Sequence, residues 1–145
     1  MYEKIRKILK IAMAMEMTDQ ELYRKVGEKI GDEKIRTLFD FLAKEEEKHF
    51  KALFRKFRIH GGEPSFQPEV IAEELKSEKF HLDDSVSILK TCIAREKKSE
   101  QMYLEAVDNS ENDIIRDFCL YLADQEKEHA KKLQELLEAQ HVQSP

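Results

Sequence analysis

The stretch FLAKEEEKHFKALF at residues 41–54 decides the fold, and YLADQEKEHAKKLQ at residues 121–134 repeats its pattern eighty positions later. In the first, Leu42, Glu46, His49 and Leu53 recur at spacings of four, three and four, which is one face of an α-helix and not the alternation of a strand. The second gives Leu122, Glu126, His129 and Leu133 in the same register. A seam that is otherwise apolar and carries Glu and His at its centre is costly to bury unless those groups find partners.

Working outward, the same spacing predicts four helices. Leu9, Met13, Glu16, Gln20, Tyr23, Val26 and Ile30 give a first helix over about 2–30. Gly31-Asp32 supplies a turn and an N-cap, and Ile35, Leu38, Leu42, Glu46, His49, Leu53 and Phe57 carry a second over 33–58. Asp83 or Asp84 caps a third over 84–108, with seam Val86, Leu89, Ile93, Glu96, Glu100, Tyr103 and Val107. A polar turn at Asn109 to Asn112 leads to a fourth over 112–139, with Ile115, Phe118, Leu122, Glu126, His129, Leu133 and Leu136. The bundle domain is expected over 1–140, followed by a polar tail at 141–145.

Short, long and short connections between these helices predict an all-α antiparallel four-helix bundle. The single long crossover, from His60 to Asp84, contains Gly61-Gly62, Pro64 and Pro68, with a short helix expected from Pro68 to Ser77. Its ~22 residues reach about 70 Å when extended, enough to span a helix of roughly 39 Å. The two hairpins also match each other without a gap: Ala14 falls on Ala94, Glu16 on Glu96, Tyr23 on Tyr103, Leu42 on Leu122, Glu46 on Glu126 and His49 on His129. Such self-similarity suggests two related hairpins packed about an approximate two-fold axis.

Composition narrows the function classes. The 145 residues, 41% hydrophobic and 38% charged, fit one globular domain and contain no apolar run of the ~20 residues that a membrane helix needs. A formal net charge of −5 with no dense basic block argues against nucleic acid as a partner. The apolar stretch Ile11 to Met15 is too short for a secretory signal, so a cytoplasmic protein is expected. Cys92 and Cys119 are too few for a four-thiolate metal site, and their difference in height of roughly 16 Å along the hairpin makes a disulfide unattainable.

A lone Glu-x-x-His means little, since 21 Glu and 5 His in this chain give roughly 0.7 such pairs by chance. Placement is what matters. Residues equidistant from a hairpin turn lie at one height; Glu16 and Glu46 are centred on Gly31, and Glu96 and Glu126 on Glu111. All four carboxylates therefore sit ~22 Å from their turns, with His49 and His129 one turn beyond. Four acids on one layer of a core repel one another unless cations share the layer. Two divalent ions balance four carboxylates, and an oxygen and imidazole donor set suits iron or manganese. The expected metal ligands are Glu16, Glu46, His49, Glu96, Glu126 and His129.

Tyr23 and Tyr103 follow Glu16 and Glu96 by seven residues on the same face and serve either packing or a hydrogen bond to a ligand oxygen. Glu100 is an extra ligand, a proton relay or an outward-reaching carboxylate. Glu45, Glu47 and Glu128 read as solvated face, and His60, His81 and His141 lack partners at ligand spacing.

With Glu16, Glu46-Glu47-Lys48-His49, Glu96 and Glu126-Lys127-Glu128-His129 in this order, residues 1 to 140 resemble the ferritin-like di-iron carboxylate proteins, and among them the rubrerythrins. The resemblance implies a ferritin-like bundle in which Glu46 and Glu126 bridge two irons while Glu16 with His49, and Glu96 with His129, complete the separate metals. It implies a di-iron oxidoreductase reducing peroxide or dioxygen, with non-catalytic iron storage of the ferritin type as the alternative; apart from the resemblance, a metal-free interaction bundle is a third reading. Full rubrerythrins carry a rubredoxin domain that delivers electrons; this chain has no such four-cysteine set, so a separate electron-donor protein is expected, together with a homodimer. Rubrerythrins also place a further glutamate three residues after the first ligand of helix three, where this chain has Ser99.

Overall fold

The computed structural model describes residues 2–59 and 84–143. Four helices run through them: α1, Tyr2–Lys29; α2, Glu33–Ile59; α3, Ser85–Asn109; and α4, Asp113–Gln143. No strand occurs among the described residues. The chain forms two compact units, one built on α1 packed against α2 and the other on α3 packed against α4. Within each unit a three-residue link reverses the chain, so the helices of each pair run antiparallel. The fourth helix continues through Gln143 instead of ending at 139, so residues 141–143 belong to it and not to a tail. The crossover over 60–83, including the short helix from Pro68 to Ser77, with His60, His81 and Asp83, lies outside the described residues.

The turns are built as their residue types dictate. After α1, Ile30 N–H still donates to Val26 O at 3.0 Å, and the Arg36 guanidinium donates to Ile30 O at 3.0 Å, occupying a carbonyl that the ended helix would leave without a donor. Asp32 then caps α2 by accepting from Ile35 N–H at 3.1 Å. In the second unit Asn112 accepts from Ile114 N–H at 2.9 Å and Ile115 N–H at 3.2 Å, which starts α4. Asp84 starts α3, accepting from Ser87 N–H at 2.7 Å. That backbone donor holds the Asp84 carboxyl below its ordinary value, so this cap is fully formed at neutral pH and weakens only as the pH falls through the carboxylate range.

The buried face of α2 reads Ile35, Phe39, Leu42, Glu46, His49, Leu53 and Phe57. The expected seam had Leu38 in place of Phe39; Leu38 is only half-buried. The same one-residue offset recurs in α4, where Cys119 and Leu137 are buried and Phe118 and Leu136 half-buried. The reason is helical phase: seven residues is close to two turns, so the positions in line with Glu46 and Glu126 are 39 and 119, whereas 38 and 118 lie about 100° away. In α3 the offset has a chemical consequence. Ser99 and Ala106 are buried, while Glu100 and Val107 are half-exposed, so Glu100 is not a seam residue.

Neither Cys92 nor Cys119 is in a disulfide, and each is fully buried. Burial pushes the Cys119 thiol up to about 12. In the native chain at pH 8 neither thiol should react with an aromatic disulfide reagent within minutes, and two equivalents should react once guanidinium unfolds the protein. One equivalent reacting at once in the native state would contradict this burial.

Candidate metal centre

Each unit presents one carboxylate from its first helix and a Glu-x-x-His pair from its second. In the first, α1 supplies Glu16 and α2 supplies Glu46 and His49, all at most 4% exposed. One donor atom from each lies within 4.8 Å of the others. His49 Nδ1 stands 3.8 Å from Glu16 Oε2 and 3.9 Å from Glu46 Oε2. In the second unit, Glu96 from α3 and Glu126 and His129 from α4 repeat the arrangement: His129 Nδ1 is 3.7 Å from Glu96 Oε2 and 4.0 Å from Glu126 Oε2. These three donors also lie within 4.8 Å of one another, and none is more than 2% exposed.

These separations are longer than a hydrogen bond and somewhat wider than a tetrahedral pair of ligand atoms, yet they stay within the ~4.0–4.4 Å that two atoms bound to one ion at ~2.0–2.2 Å can span. Two carboxylate oxygens and an imidazole nitrogen make a hard-to-borderline donor set, and the neighbouring core is apolar: Leu42 and Leu53 bracket the α2 pair, and Leu122 and Leu133 bracket the α4 pair, all fully buried. The residues therefore fit a divalent transition metal. The i, i+3 spacing within one helix is what brings each Glu and His to a common side.

Tyr23 and Tyr103 are both buried, and the Tyr23 ring meets Phe39 edge-on at 5.5 Å between centroids and 70° between planes. A packing role for Tyr23 is thus visible. Glu100, half-exposed, belongs to neither donor cluster found among the described residues. Glu45 and Glu47 are partly covered and ion-paired along α2, to Lys48 at 3.9 Å and Lys51 at 3.0 Å, and Glu128 is exposed. The Lys51 ammonium holds the Glu47 carboxyl below its ordinary value.

Three buried polar residues close to the ligands in sequence escaped the sequence reading, Thr18, Asp19 and Arg95; Ser99, noted there as standing in place of a glutamate, is buried as well. Thr18 is satisfied within its helix, its hydroxyl donating to Ala14 O at 2.9 Å. Asp19 and Ser99 occupy equivalent places, each three residues after the Glu of its helix. The phase from Glu16 to Tyr23 passes through position 19 as readily as through 20, and that signal was available once the helix was drawn from the ligand outward.

The family model for rubrerythrin matches residues 7–137. No curated protein matches the chain. Among solved structures, a hypothetical protein from Pyrococcus furiosus superposes with a TM-score of 0.75 at 22% identity, covering 92% of this chain and 88% of that one. A ferritin-like, diiron-carboxylate protein from Bacillus anthracis gives 0.75 at 18% identity, over 93% of this chain and 96% of its own. A two-domain protein from Anabaena variabilis, with DJ-1/ThiJ/PfpI-like and ferritin-like domains, gives 0.79 at 15% identity. It is aligned with the whole of this chain, which spans only 40% of its length. These likenesses establish the fold as a ferritin-like four-helix bundle, and the match over residues 7–137 establishes that the chain belongs to the rubrerythrin family.

Proposed function

We propose that the chain is a di-iron oxidoreductase that reduces peroxide or dioxygen, with Glu16, Glu46, His49, Glu96, Glu126 and His129 as the ligands of two iron ions. The observation that carries this is the burial of two identical donor triads, each drawn within 4.8 Å, in a chain of a di-iron carboxylate family. Iron, when bound, supplies one electron per ion, and the pair matches the two electrons that a peroxide takes up. The chain supplies the rest. Four carboxylates offset the charge of two divalent cations, and the two imidazoles complete the donor sets without adding charge. Tyr23 and Tyr103 steady the ligand carboxylates, and Glu100, one turn from Glu96 and half-exposed, brings protons from solvent. The supply of electrons is assigned to a separate donor protein.

The test is anaerobic loading with ferrous iron followed by peroxide. Oxidation of a few equivalents at a rate at least ~10²-fold above that of Glu46→Ala is expected. Equal rates in the two proteins would reject the reading. Light scattering should find a homodimer; a large closed shell would point instead to iron storage.

A further inference from the structure

Each unit carries an exposed stripe on the side of its second helix away from the metal ligands. On α2, Phe41, Lys44, Lys48, Lys51 and Arg55 recur at spacings of three and four, and all five are exposed. On α4 the same steps give Asp117, Tyr121, Asp124, Glu128, Lys131 and Glu135, again all exposed. Aligned through the repeat, Phe41 falls on Tyr121, but the charge is reversed at three positions: Lys44 falls on Asp124, Lys48 on Glu128 and Arg55 on Glu135. One stripe is therefore basic around an aromatic ring, and the other mainly acidic around another. Phe41 is 38% exposed and Tyr121 55%. Lys48 and Lys51 are paired along their own helix, to Glu45 at 3.9 Å and Glu47 at 3.0 Å. Among the described residues Lys44, Arg55, Asp117, Asp124, Glu128 and Glu135 form no ion pair.

We propose that the α2 stripe of one copy docks antiparallel on the α4 stripe of a second copy, and that this pairing holds the homodimer expected above. The chain carries both halves of the contact, which is why the partner is a second copy. With Lys44 opposite Glu128, the antiparallel register also sets Lys48 opposite Asp124 and Arg55 opposite Asp117. It places Phe41 opposite Lys131 and Lys51 opposite Tyr121, so each ring meets a cation. No like charges face each other along the stripes in this register, whereas a parallel one that matches the repeats sets Lys51 against Lys131. Opposite charge fixes the register and speeds encounter, and the two rings supply apolar area. The contact uses no metal ligand, so it stands apart from the iron reading.

Sedimentation equilibrium of the full chain tests the pairing. The dissociation constant of the dimer should rise at least ~10-fold between about 0.05 and 0.5 M salt, because salt screens exposed charges. Lys44→Glu with Lys48→Glu should weaken self-association by at least ~10²-fold, and so should Asp124→Lys with Glu128→Lys. Mixed one to one, these two variants should associate about as tightly as the unsubstituted chain, and a chain with all four substitutions should again self-associate. The four positions are exposed, so melting temperatures should stay close to that of the unsubstituted chain. A dimer that neither pair of substitutions weakens, or two weakened variants that do not rescue each other on mixing, would overturn the pairing and leave the homodimer standing. A chain that stays monomeric at millimolar concentration removes both, and leaves the basic stripe of α2 to an acidic partner.

Discussion

Glu46→Gln combined with Glu126→Gln should raise the melting temperature of the metal-free chain by roughly 5–10 °C and abolish the stabilisation that ferrous iron confers. Both effects come from the same crowding. In each unit two carboxylates are buried with an oxygen of each within 4.8 Å. Like charges at such a distance cost about 4 kcal/mol at an effective dielectric constant of 20, and neutralising one of the two recovers part of this, ~1–3 kcal/mol per unit. For a domain of this size each kcal/mol is worth ~2–4 °C. In the unsubstituted chain, iron at about a hundred times its dissociation constant adds ~2.7 kcal/mol per site, because it binds only the folded form. The glutamine variant keeps shape and volume but loses the negative charge that a cation requires. Calorimetric scans of both proteins with and without iron read the two signs together. A variant that melts below the metal-free native chain would show that these carboxylates serve the fold and not a cation.

How far the sequence could be read follows from what each kind of residue signals. Glu46 with His49 and Glu126 with His129 were legible because a polar pair repeated at one spacing on two apolar seams is too costly to bury twice without a shared ligand. The turns were legible for a similar reason: Asp32, Asp84 and Asn112 are cap residues by chemistry, and each accepts the N–H that its position predicts. Helical phase was harder. Leu38 and Phe118 were preferred to Phe39 and Cys119 because a three-residue step from an apolar anchor is as regular as a four-residue one, and size alone does not arbitrate between neighbours. That ambiguity is about 100° of rotation, enough to put Glu100 on the seam and leave Asp19 off it. Anchoring the phase on the ligands instead of on the largest side chains removes it.

Phe39 offers the sharpest test of that phase. Phe39→Ala should cost about 3–5 kcal/mol of stability, while Leu38→Ala beside it should cost roughly 1 kcal/mol or less. Phe39 is fully buried and its ring lies edge-on to Tyr23, a contact worth a further ~0.5–1.5 kcal/mol beyond burial. The void left by truncation has little means of closing. α1 already approaches α2 closely at Gly27, where a methyl group would lie 3.8 Å from Phe39 Cβ and 3.0 Å from Asp40 Oδ1. A helix so near cannot move further in without meeting Asp40. Leu38 is half-buried, so its side chain leaves mostly solvent-facing space when removed. Against a typical total of about 5–15 kcal/mol, the Phe39 variant stands near the edge of folding, and added iron should recover part of the loss by binding the folded form. Guanidinium titrations with and without ferrous iron measure both quantities as shifts in midpoint at constant slope. Equal losses for Phe39→Ala and Leu38→Ala would mean that the buried face of α2 is rotated by a residue from the one described, and Glu46 and His49 would turn away from Glu16 with it.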